Sequence, residues 1–177
     1  AATTGKGSGE EGGNAAGPLL AQARASASRL EEMVEAILRL ARIEGSDEGF
    51  ARVDLEALVA RVAARLEPER AAADGRIDRA TLPVVRGDEA QLELLFQNLL
   101  DNALKFRGAE PPRIRIDATE EECFWHLRVQ DNGAGIAARD QDRIFALFQR
   151  LHTAHEAPGT GIGLALCRRV VARHGGR

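Results

Sequence analysis

The stretch NLLDNALKF, residues 98–106, is the first of four short motifs in the second half of the chain. The other three are DNGAG at 131–135, FALF at 145–148 and GTGIG at 159–163. A glycine-rich motif alone is weak evidence, because such patterns also occur in ordinary loops. In this order, however, the four supply amide ligands for a cation, a carboxylate beside a glycine turn, an aromatic patch and a phosphate-binding loop. The series predicts a nucleotide pocket.

The composition excludes several classes of protein. With 177 residues, 44% of them hydrophobic, the chain can form one α/β domain with an ordinary core and a short appendage. A net charge of −3, from 24 basic and 27 acidic residues, lacks the basic surplus of proteins that bind nucleic acid. No apolar run approaches the roughly 20 residues that span a bilayer, and the N-terminus does not resemble a signal peptide. We therefore expect a soluble, cytoplasmic chain with no membrane segment that binds no nucleic acid.

The two cysteines, Cys123 and Cys167, are far apart in the sequence. Neither has a partner at metal-ligand spacing. We therefore expect two buried free thiols without a redox role.

The first part of the chain predicts a tail, one helix and a linker. Residues 1–17 are mostly small and polar, and such a composition predicts a flexible tail. Residues 18–44 predict a helix with alternating three-and-four apolar spacing, which is typical of a coiled coil, although a helix packed on its own domain has a similar pattern. Residues 45–52 contain two glycines and form a linker to a domain over 53–177. The apolar positions of the helix are Leu19, Ala23, Ala27, Leu30, Met33, Ile37 and Leu40.

The domain is expected to be a two-layer α/β sandwich, preceded by the coiled-coil-like helix. One amphipathic helix begins at Leu55 and ends near Pro68, and another begins at an Asp88 to Gln91 capping box. Two strands follow with alternating faces, and a last helix runs from the glycine loop to Gly175. The second helix is expected to bury Leu92, Leu95, Phe96, Leu99, Ala103 and Phe106.

Polar residues share one face of the second helix. Asn98, Asn102 and Lys105 are spaced i, i+4 and i+7 and lie beside the apolar stripe. Amide oxygens are hard ligands that suit Mg²⁺, which normally arrives with phosphate oxygens and water. An ordinary solvated helix face is the alternative for this helix taken alone.

Asp131 ends an apolar strand face and precedes Gly133 and Gly135, which let the backbone turn sharply. An ionised carboxylate only accepts hydrogen bonds, so it selects a donor such as the exocyclic amine of adenine. The alternative is a type I′ turn at residues 131–133 in a β-hairpin.

The glycine loop at 159–163 leads directly into a helix, whose free amides and dipole favour phosphate. It has neither the Lys-Ser or Lys-Thr of a P-loop nor the glycine spacing of a dinucleotide fold. Residues 136–158 are long for a connection and predict a mobile lid containing Phe145, Phe148 and Arg150. The two phenylalanines could equally be core residues.

The order of the four motifs resembles the N, G1, F and G2 boxes of the catalytic domain of sensor histidine kinases. The resemblance runs from about Leu19 to Arg177 and is greatest to kinases of the phytochrome-like and PAS-linked type. It implies a Bergerat ATP-binding fold, ATP and Mg²⁺ as cofactors, and transfer of the γ-phosphoryl group to a histidine outside this chain.

The resemblance also identifies residues 18–44 as the second helix of a dimerisation and phosphoacceptor bundle. It implies that the first bundle helix and the closing strands of the sheet lie outside this chain, and that none of the four histidines is the acceptor. The implied partners are a second copy of the protein, bound through the bundle, and the receiver domain of a response regulator.

By the same resemblance, Asn102 is the metal ligand and Asn98 assists it, while Asn98, Lys105 and Arg150 have the catalytic roles. The lid departs from relatives at Ala157 and at 137–138, which implies a looser cover. The remaining nucleotide contacts are Phe106, Asp131, Gly133, Gly135, Ile136, Gly159, Thr160, Gly161, Gly163 and Leu164.

Other functions are considered. Serine kinases of the anti-sigma-factor type normally lack the helix from Leu19 to Leu40, whereas this chain has it. ATPases of the same superfamily have a water-activating Glu where this chain has Asn98, which cannot accept a proton. A non-catalytic nucleotide-sensing or dimerisation module is a further alternative, although the motifs look intact.

Overall fold

The computed structural model describes residues 13–43, 49–149 and 160–177. A long helix, α1 (Gly13–Arg42), precedes a mixed α/β unit. Two short 3-10 turns at Ala138–Asp140 and Arg143–Phe145 follow the last strand. The other elements, in chain order, are β1 (Ala51–Asp54), α2 (Leu55–Arg65), α3 (Glu67–Ala72), β2 (Arg76–Arg79), β3 (Val84–Gly87), α4 (Glu89–Lys105), β4 (Arg113–Glu121), β5 (Phe124–Gln130) and α5 (Gly163–Arg173).

Helix α1 begins five residues before the predicted start at Pro18, so residues 13–17 are helical and do not belong to a tail. The alanines at 15 and 16 explain this, since alanine has the highest helix propensity. The apolar stripe is uncovered: Leu19, Leu30 and Ile37 are 64%, 63% and 46% exposed. This exposure favours packing against a partner helix, which stays a prediction. Residues 1–12 of the predicted tail, and 44–48 at the end of the predicted helix and in the linker, lie outside the described residues.

Strand β4 lies at the centre of a three-stranded sheet. It pairs in parallel with β2, with Ile77 opposite Ile114, and antiparallel with β5, with Ile116 opposite Val129. Its alternation is as predicted, because Ile114 and Ile116 are buried against the helices. Strands β1 and β3 form a separate antiparallel pair. Helices packed against these sheets make the predicted two-layer sandwich.

Helices α2 and α4 pack side by side and begin at aspartate caps. The carboxylate of Asp54 accepts from Ala57 N at 3.2 Å, and that of Asp88 accepts from Gln91 N at 3.1 Å. The first half of the predicted capping box is therefore confirmed, but the return bond is not formed, because Gln91 Nε2 donates to the Asp88 carboxylate at 3.0 Å and the Asp88 amide donates to His174 instead. The core contains Leu55, Leu58, Val59 and Val62 of α2.

The buried stripe of α4 differs from the prediction. Leu99 and Phe106 are only half-buried, whereas Leu100 and Leu104 are buried. Because Phe96, Leu100 and Leu104 are spaced four residues apart, they form one ridge that faces the neighbouring elements. Leu99 and Phe106 therefore lie nearer the polar face with Asn98 and Asn102.

The prediction of two buried thiols is correct for Cys167 and wrong for Cys123, which is exposed. Cys123 lies with Glu122 in the tight turn between β4 and β5, where a side chain has no layer to pack against. Within the described residues, no helix has both the length and the apolarity to cross a bilayer.

Candidate functional site

Helix α4 meets the first turn of α5 at Asn98 and Gly163. A Cβ atom built on Gly163 would lie 2.5 Å from Asn98 Oδ1, so only glycine permits this approach. The amide nitrogen of Asn98 donates to Leu94 O at 2.8 Å, which directs the side-chain oxygen towards Gly163. The structure therefore brings the first and fourth motifs into contact.

The polar face of α4 continues one turn later with Asn102 and Lys105. Asn102 is half-buried, and its side chain makes no hydrogen bond with any described residue. The Nζ atom of Lys105 lies 5.5 Å from the centroid of the Phe106 ring, in cation–π range. An amide and an ammonium thus follow Asn98 along one helix face.

The turn after β5 is fixed to the carboxyl end of α4. Ala134 N donates to Phe106 O at 3.0 Å. A Cβ atom on Gly133 would lie 2.6 Å from the same oxygen, so the close approach requires glycine. The second motif therefore borders the first at the end of α4 opposite to the Gly163 contact.

Asp131 is exposed at this turn. Its Oδ1 accepts from Gly133 N at 2.8 Å, whereas Oδ2 has no hydrogen-bond partner among the described residues. The type I′ alternative does not hold, because neither Asn132 nor Gly133 has the positive φ that this turn requires. The carboxylate thus keeps one acceptor oxygen available to a ligand.

Asn132 is a residue of this site that the sequence reasoning missed. Its Oδ1 accepts from Arg113 N at 2.7 Å, and its Nδ2 donates to Pro111 O at 3.1 Å. Both bonds fasten the turn to the chain just before β4, about twenty positions earlier in the sequence. No spacing pattern reveals such a contact, and the only signal was the position of Asn132 between Asp131 and Gly133.

The glycine loop presents the amino end of α5. Gly161 has a φ of +70°, a left-handed conformation that favours glycine, and Ile162 is fully buried and anchors the loop. No side chain caps the first turn of α5. Because backbone amides at a helix start point outward and carry partial positive charge, this end suits an anion. Gly159 lies outside the described residues.

The predicted lid is described only up to residue 149. Phe145 is half-buried, with the Arg168 guanidinium 6.0 Å from its ring centroid. Phe148 is 44% exposed with a φ of +63°, so neither phenylalanine belongs to the buried core. Arg150 and the later lid residues lie outside the described part, and the closing motion stays a prediction.

Four further residues predicted to contact the nucleotide surround this face. Ile136 and Gly135 are exposed next to the Asp131 turn, and Gly135 has a φ of +69°. Thr160 and Leu164, on either side of Gly161 and Gly163, are half-buried. Ligand contacts of these residues remain predictions.

A thiol marks the packed seam between α4 and α5. Cys167 Sγ lies 3.8 Å from Leu95 O, and burial raises the pKa of this thiol from 9.0 to about 12. A protonated, buried thiol is a poor nucleophile, so Cys167 has a packing role. In the described residues, no three or more His, Cys, Asp or Glu side chains cluster to hold a metal ion.

Comparison with known proteins agrees with this geometry. Residues 87–177, slightly more than half of the chain, match the family described as histidine kinase-, DNA gyrase B-, and HSP90-like ATPase. Cyanobacterial phytochrome A of Nostoc sp. is 37% identical over 150 residues, which are 85% of this chain and 20% of that protein. The phosphate regulon sensor protein PhoR of Pseudomonas aeruginosa is 34% identical over 164 residues, 89% of this chain and 37% of that protein. The chain thus spans well under half the length of these relatives.

Solved structures show the same fold. A mycobacterial sensor histidine kinase, MprB, superposes with a TM-score of 0.63 at 28% identity, covering 71% of this chain and 80% of that one. Full-length ShkA, solved in complex with AMPPNP, superposes with a TM-score of 0.70 at 29% identity, covering 89% of this chain and 34% of that one. With the motif order and the site geometry, these matches show that the chain belongs to the histidine kinase-, DNA gyrase B- and HSP90-like ATPase family, as the ATP-binding catalytic domain of a sensor histidine kinase.

Proposed function

We propose that this domain binds Mg-ATP along the polar face of α4 and transfers the γ-phosphoryl group to a histidine outside the chain. One observation carries the proposal: the face is bordered by the uncapped start of α5 at Asn98 and by the Asp131 turn at Phe106. The helix rises about 12 Å between Asn98 and Phe106. A nucleotide can therefore place its phosphates at one border and its base at the other.

Asp131 selects the base. Its Oδ2 accepts a hydrogen bond from the exocyclic amine of adenine, while Oδ1 stays bonded to Gly133 N. Guanine presents an oxygen at the equivalent position, so two acceptors would face each other. Phe106 and Ile136 lie beside the base, and Gly135 allows the close approach.

The start of α5 and the polar residues of α4 receive the phosphates. The amides of Gly161, Gly163 and Leu164 face the anion, with Thr160 and Gly159 on the loop before them. Lys105 and Arg150 contribute positive charge. The half-buried amide of Asn102, which makes no hydrogen bond with the described residues, suits a Mg²⁺ ligand, with Asn98 beside it. Bound Mg²⁺ would offset the charge of the phosphates.

The acceptor supplies the nucleophile. A neutral imidazole nitrogen attacks the γ-phosphorus, its bond to phosphorus forms, and the bond from phosphorus to the bridging oxygen of ADP breaks. Neutral imidazole needs no base to attack, so this chain aligns the nucleotide and stabilises charge. Of the two histidines that the structure describes, His174 bonds to Asp88 N and His126 is on β5 near Glu121, which supports an acceptor elsewhere in the whole protein.

The complete protein acts in the cytoplasm. There it forms a homodimer through α1 and its bundle, and passes the phosphoryl group to the receiver domain of a response regulator. The exposed apolar stripe of α1 supports the dimer part of this proposal. Relatives that are named as sensor proteins, such as PhoR, support the signalling part.

Asn98 separates transfer from hydrolysis. Its amide donates to Leu94 O and cannot take a proton from water. Phosphate release by the isolated chain should stay far below the median enzyme turnover of about 10 per second. Fast release that depends on Asn102 would favour the ATPase alternative, and a gain in Asn98→Glu would support the role of this position.

A labelling experiment tests the proposal. Incubated with γ-labelled ATP, the chain alone should remain unlabelled, and an added helical bundle carrying the acceptor histidine should gain acid-labile phosphate. The label should be lost with Asn102→Ala. Acid-labile label on the chain itself that disappears in His155→Ala would contradict the assignment, and label on no acceptor would favour the sensing-module alternative.

A further inference from the structure

A second cluster of side chains lies at the opposite end of α4 and α5 from the candidate site. We call it the linker clamp; it consists of Ile43, Phe50, Asp88, Arg173 and His174. Ile43 immediately follows α1, and Phe50 immediately precedes β1. Asp88 caps α4, and His174 caps α5. The clamp therefore joins the entry to the domain with the ends of both site helices.

Aromatic and charged contacts hold the incoming chain. The rings of Phe50 and His174 are stacked, with centroids 4.6 Å apart and an interplanar angle of 18°. The guanidinium carbon of Arg173 lies 5.4 Å from the Phe50 centroid. Arg173 also donates to Ile43 O at 2.8 Å, and the Ile43 side chain is buried. Two residues at the end of α5 thus contact the chain on both sides of residues 44–48.

His174 also connects α5 to α4. Asp88 N donates to its Nε2 at 3.0 Å, so Nε2 is the unprotonated nitrogen. Nδ1 then carries the proton and donates to Val170 O at 2.8 Å. Gly87 permits this packing, because a Cβ atom there would lie 2.7 Å from the imidazole Cδ2. The neutral imidazole therefore bonds to both helices while its face covers Phe50.

Both helices lead from the clamp to the candidate site. α4 runs from its Asp88 cap to Asn98 and Asn102, and α5 runs back from Gly163 to His174. The seam between them is packed, with Cys167 and Val170 of α5 and Phe96 of α4 buried. A packed helix pair moves as a unit, so a shift at one end is carried to the other.

We propose that the linker clamp couples nucleotide occupancy to the position of α1. The proposal rests on the proposed function, since the ligand at the far end is Mg-ATP. A nucleotide that displaces the start of α5 along α4 also displaces His174 and Arg173, and therefore changes their contacts with Phe50 and Ile43. By linkage, if bound ATP changes the equilibrium for docking of Phe50 and Ile43 by some factor, loss of that docking changes ATP affinity by the same factor.

Two measurements on the full chain test the proposal. The first is the distance between two spin labels, one on the exposed native Cys123 and one on a cysteine introduced in α1 by Ser28→Cys. Cys167 is buried and should remain unlabelled. The second is calorimetric ATP affinity. The test variant is Phe50→Ala, and its matched control is Phe50→Tyr, which keeps the ring. Gly87→Ala is a second test variant, because its methyl group would displace His174 together with the neighbouring Leu92 side chain.

In the parent and Phe50→Tyr, we expect a narrow distance distribution that shifts when Mg-ATP is added. Phe50→Ala and Gly87→Ala should broaden it and change ATP affinity about fivefold or more, the lower end of common coupling strengths. Equal distributions in Phe50→Ala and Phe50→Tyr would overturn the docking of the linker. Broadening with unchanged ATP affinity would overturn the coupling. If the parent binds no ATP, both the proposed function and the coupling are wrong. The distance distributions of Phe50→Ala and Phe50→Tyr then still show whether Phe50 docks the linker.

Discussion

The two ends of the α4–α5 pair use similar polar residues in opposite ways. At the linker clamp, the Asp88 carboxylate bonds to Gln91, its backbone amide bonds to His174, and His174 bonds to Val170. At the candidate site, the start of α5 has no side-chain cap, and neither the Asn102 side chain nor Asp131 Oδ2 bonds to a described residue.

This difference indicates where a ligand belongs. Partly buried polar groups normally find partners within the protein, and a group without one costs free energy unless water or a ligand satisfies it. At the clamp end, the Asp88 carboxylate, the Asp88 amide and His174 are satisfied within the chain, which fits a structural role, although Gln91 Oε1 is buried without a hydrogen-bond partner among the described residues. The site end has the uncapped amides of α5, the half-buried side chain of Asn102 and the exposed Oδ2 of Asp131, all of which a nucleotide with Mg²⁺ could bind.

The largest expected effect concerns the seam that joins the two ends. Burial raises the pKa of the Cys167 thiol from 9.0 to about 12, so the folded state retains this proton where the unfolded state loses it. The contribution of the protonated thiol to the free energy of unfolding is therefore fully present below pH 9.0 and is lost as the pH rises towards 12. The loss is at most about 1.4 kcal/mol per pH unit, or about 4 kcal/mol in total.

Urea unfolding at a series of alkaline pH values measures this loss. The chain has no tyrosine, and its only lysines are Lys6 and Lys105, so few other groups titrate there. Cys167→Ala should flatten the decline in stability, in a Cys123→Ser background for both proteins. If stability declines with pH equally with and without the Cys167 thiol, water reaches the seam between α4 and α5. The seam would then not connect the two ends rigidly.

The second effect concerns the junction of the Asp131 turn with α4. A methyl group at Gly133 would lie 2.6 Å from Phe106 O and 2.7 Å from Asp131 Oδ1, so Gly133→Ala should push the turn away from α4 and weaken the bond from Ala134 N to Phe106 O. We expect a loss of about 2 kcal/mol of folding stability, with weaker ATP binding. Gly108→Ala is the matched control, because its nearest contact would be an ordinary 3.9 Å. Denaturant unfolding compares the two, and equal stability would contradict the close approach.

The smallest effect concerns Asn132, which fastens the turn to the start of β4. Asn132→Ala removes bonds to Arg113 N and Pro111 O and should cost about 1 kcal/mol of ATP binding. Because the turn orients Asp131, the preference for ATP over GTP should fall more than the affinity for triphosphate. Asn132→Asp keeps the acceptor and loses the donor, so an intermediate result is expected. Equal losses for ATP and GTP in calorimetry would indicate a general structural role.

The long elements of the fold were predictable from local patterns. Helices α2, α4 and α5 have periodic apolar residues, and β4 and β5 alternate, so each element repeats its signal over several residues. Strands β1, β2 and β3 were not predicted, because each has only four residues and its partners come from distant segments. Local periodicity cannot specify such pairings.

The residues of the candidate site likewise divide into those that local patterns predict and those that depend on tertiary packing. The shared face of Asn98, Asn102 and Lys105 follows from helix geometry, and the order of the motifs identified Asp131 and Gly163. The bonds of Asn132 and the stacking of Phe50 on His174 could not be predicted, because both depend on tertiary packing between residues far apart in the sequence. The burial of Leu100 in place of Leu99 likewise depends on which neighbours pack around α4.

Calorimetric titration of ATP with and without Mg²⁺, into the parent and Asp131→Ala, tests the central claim most directly. We expect ATP to bind the parent more tightly with Mg²⁺ and much more tightly than GTP. Asp131→Ala should lose about 1.5–3 kcal/mol of ATP binding, the range for a hydrogen bond to a charged group, or about tenfold to a hundredfold in affinity. Equal binding of ATP by the parent and Asp131→Ala, or equal binding of GTP and ATP by the parent, would contradict the assignment of this pocket.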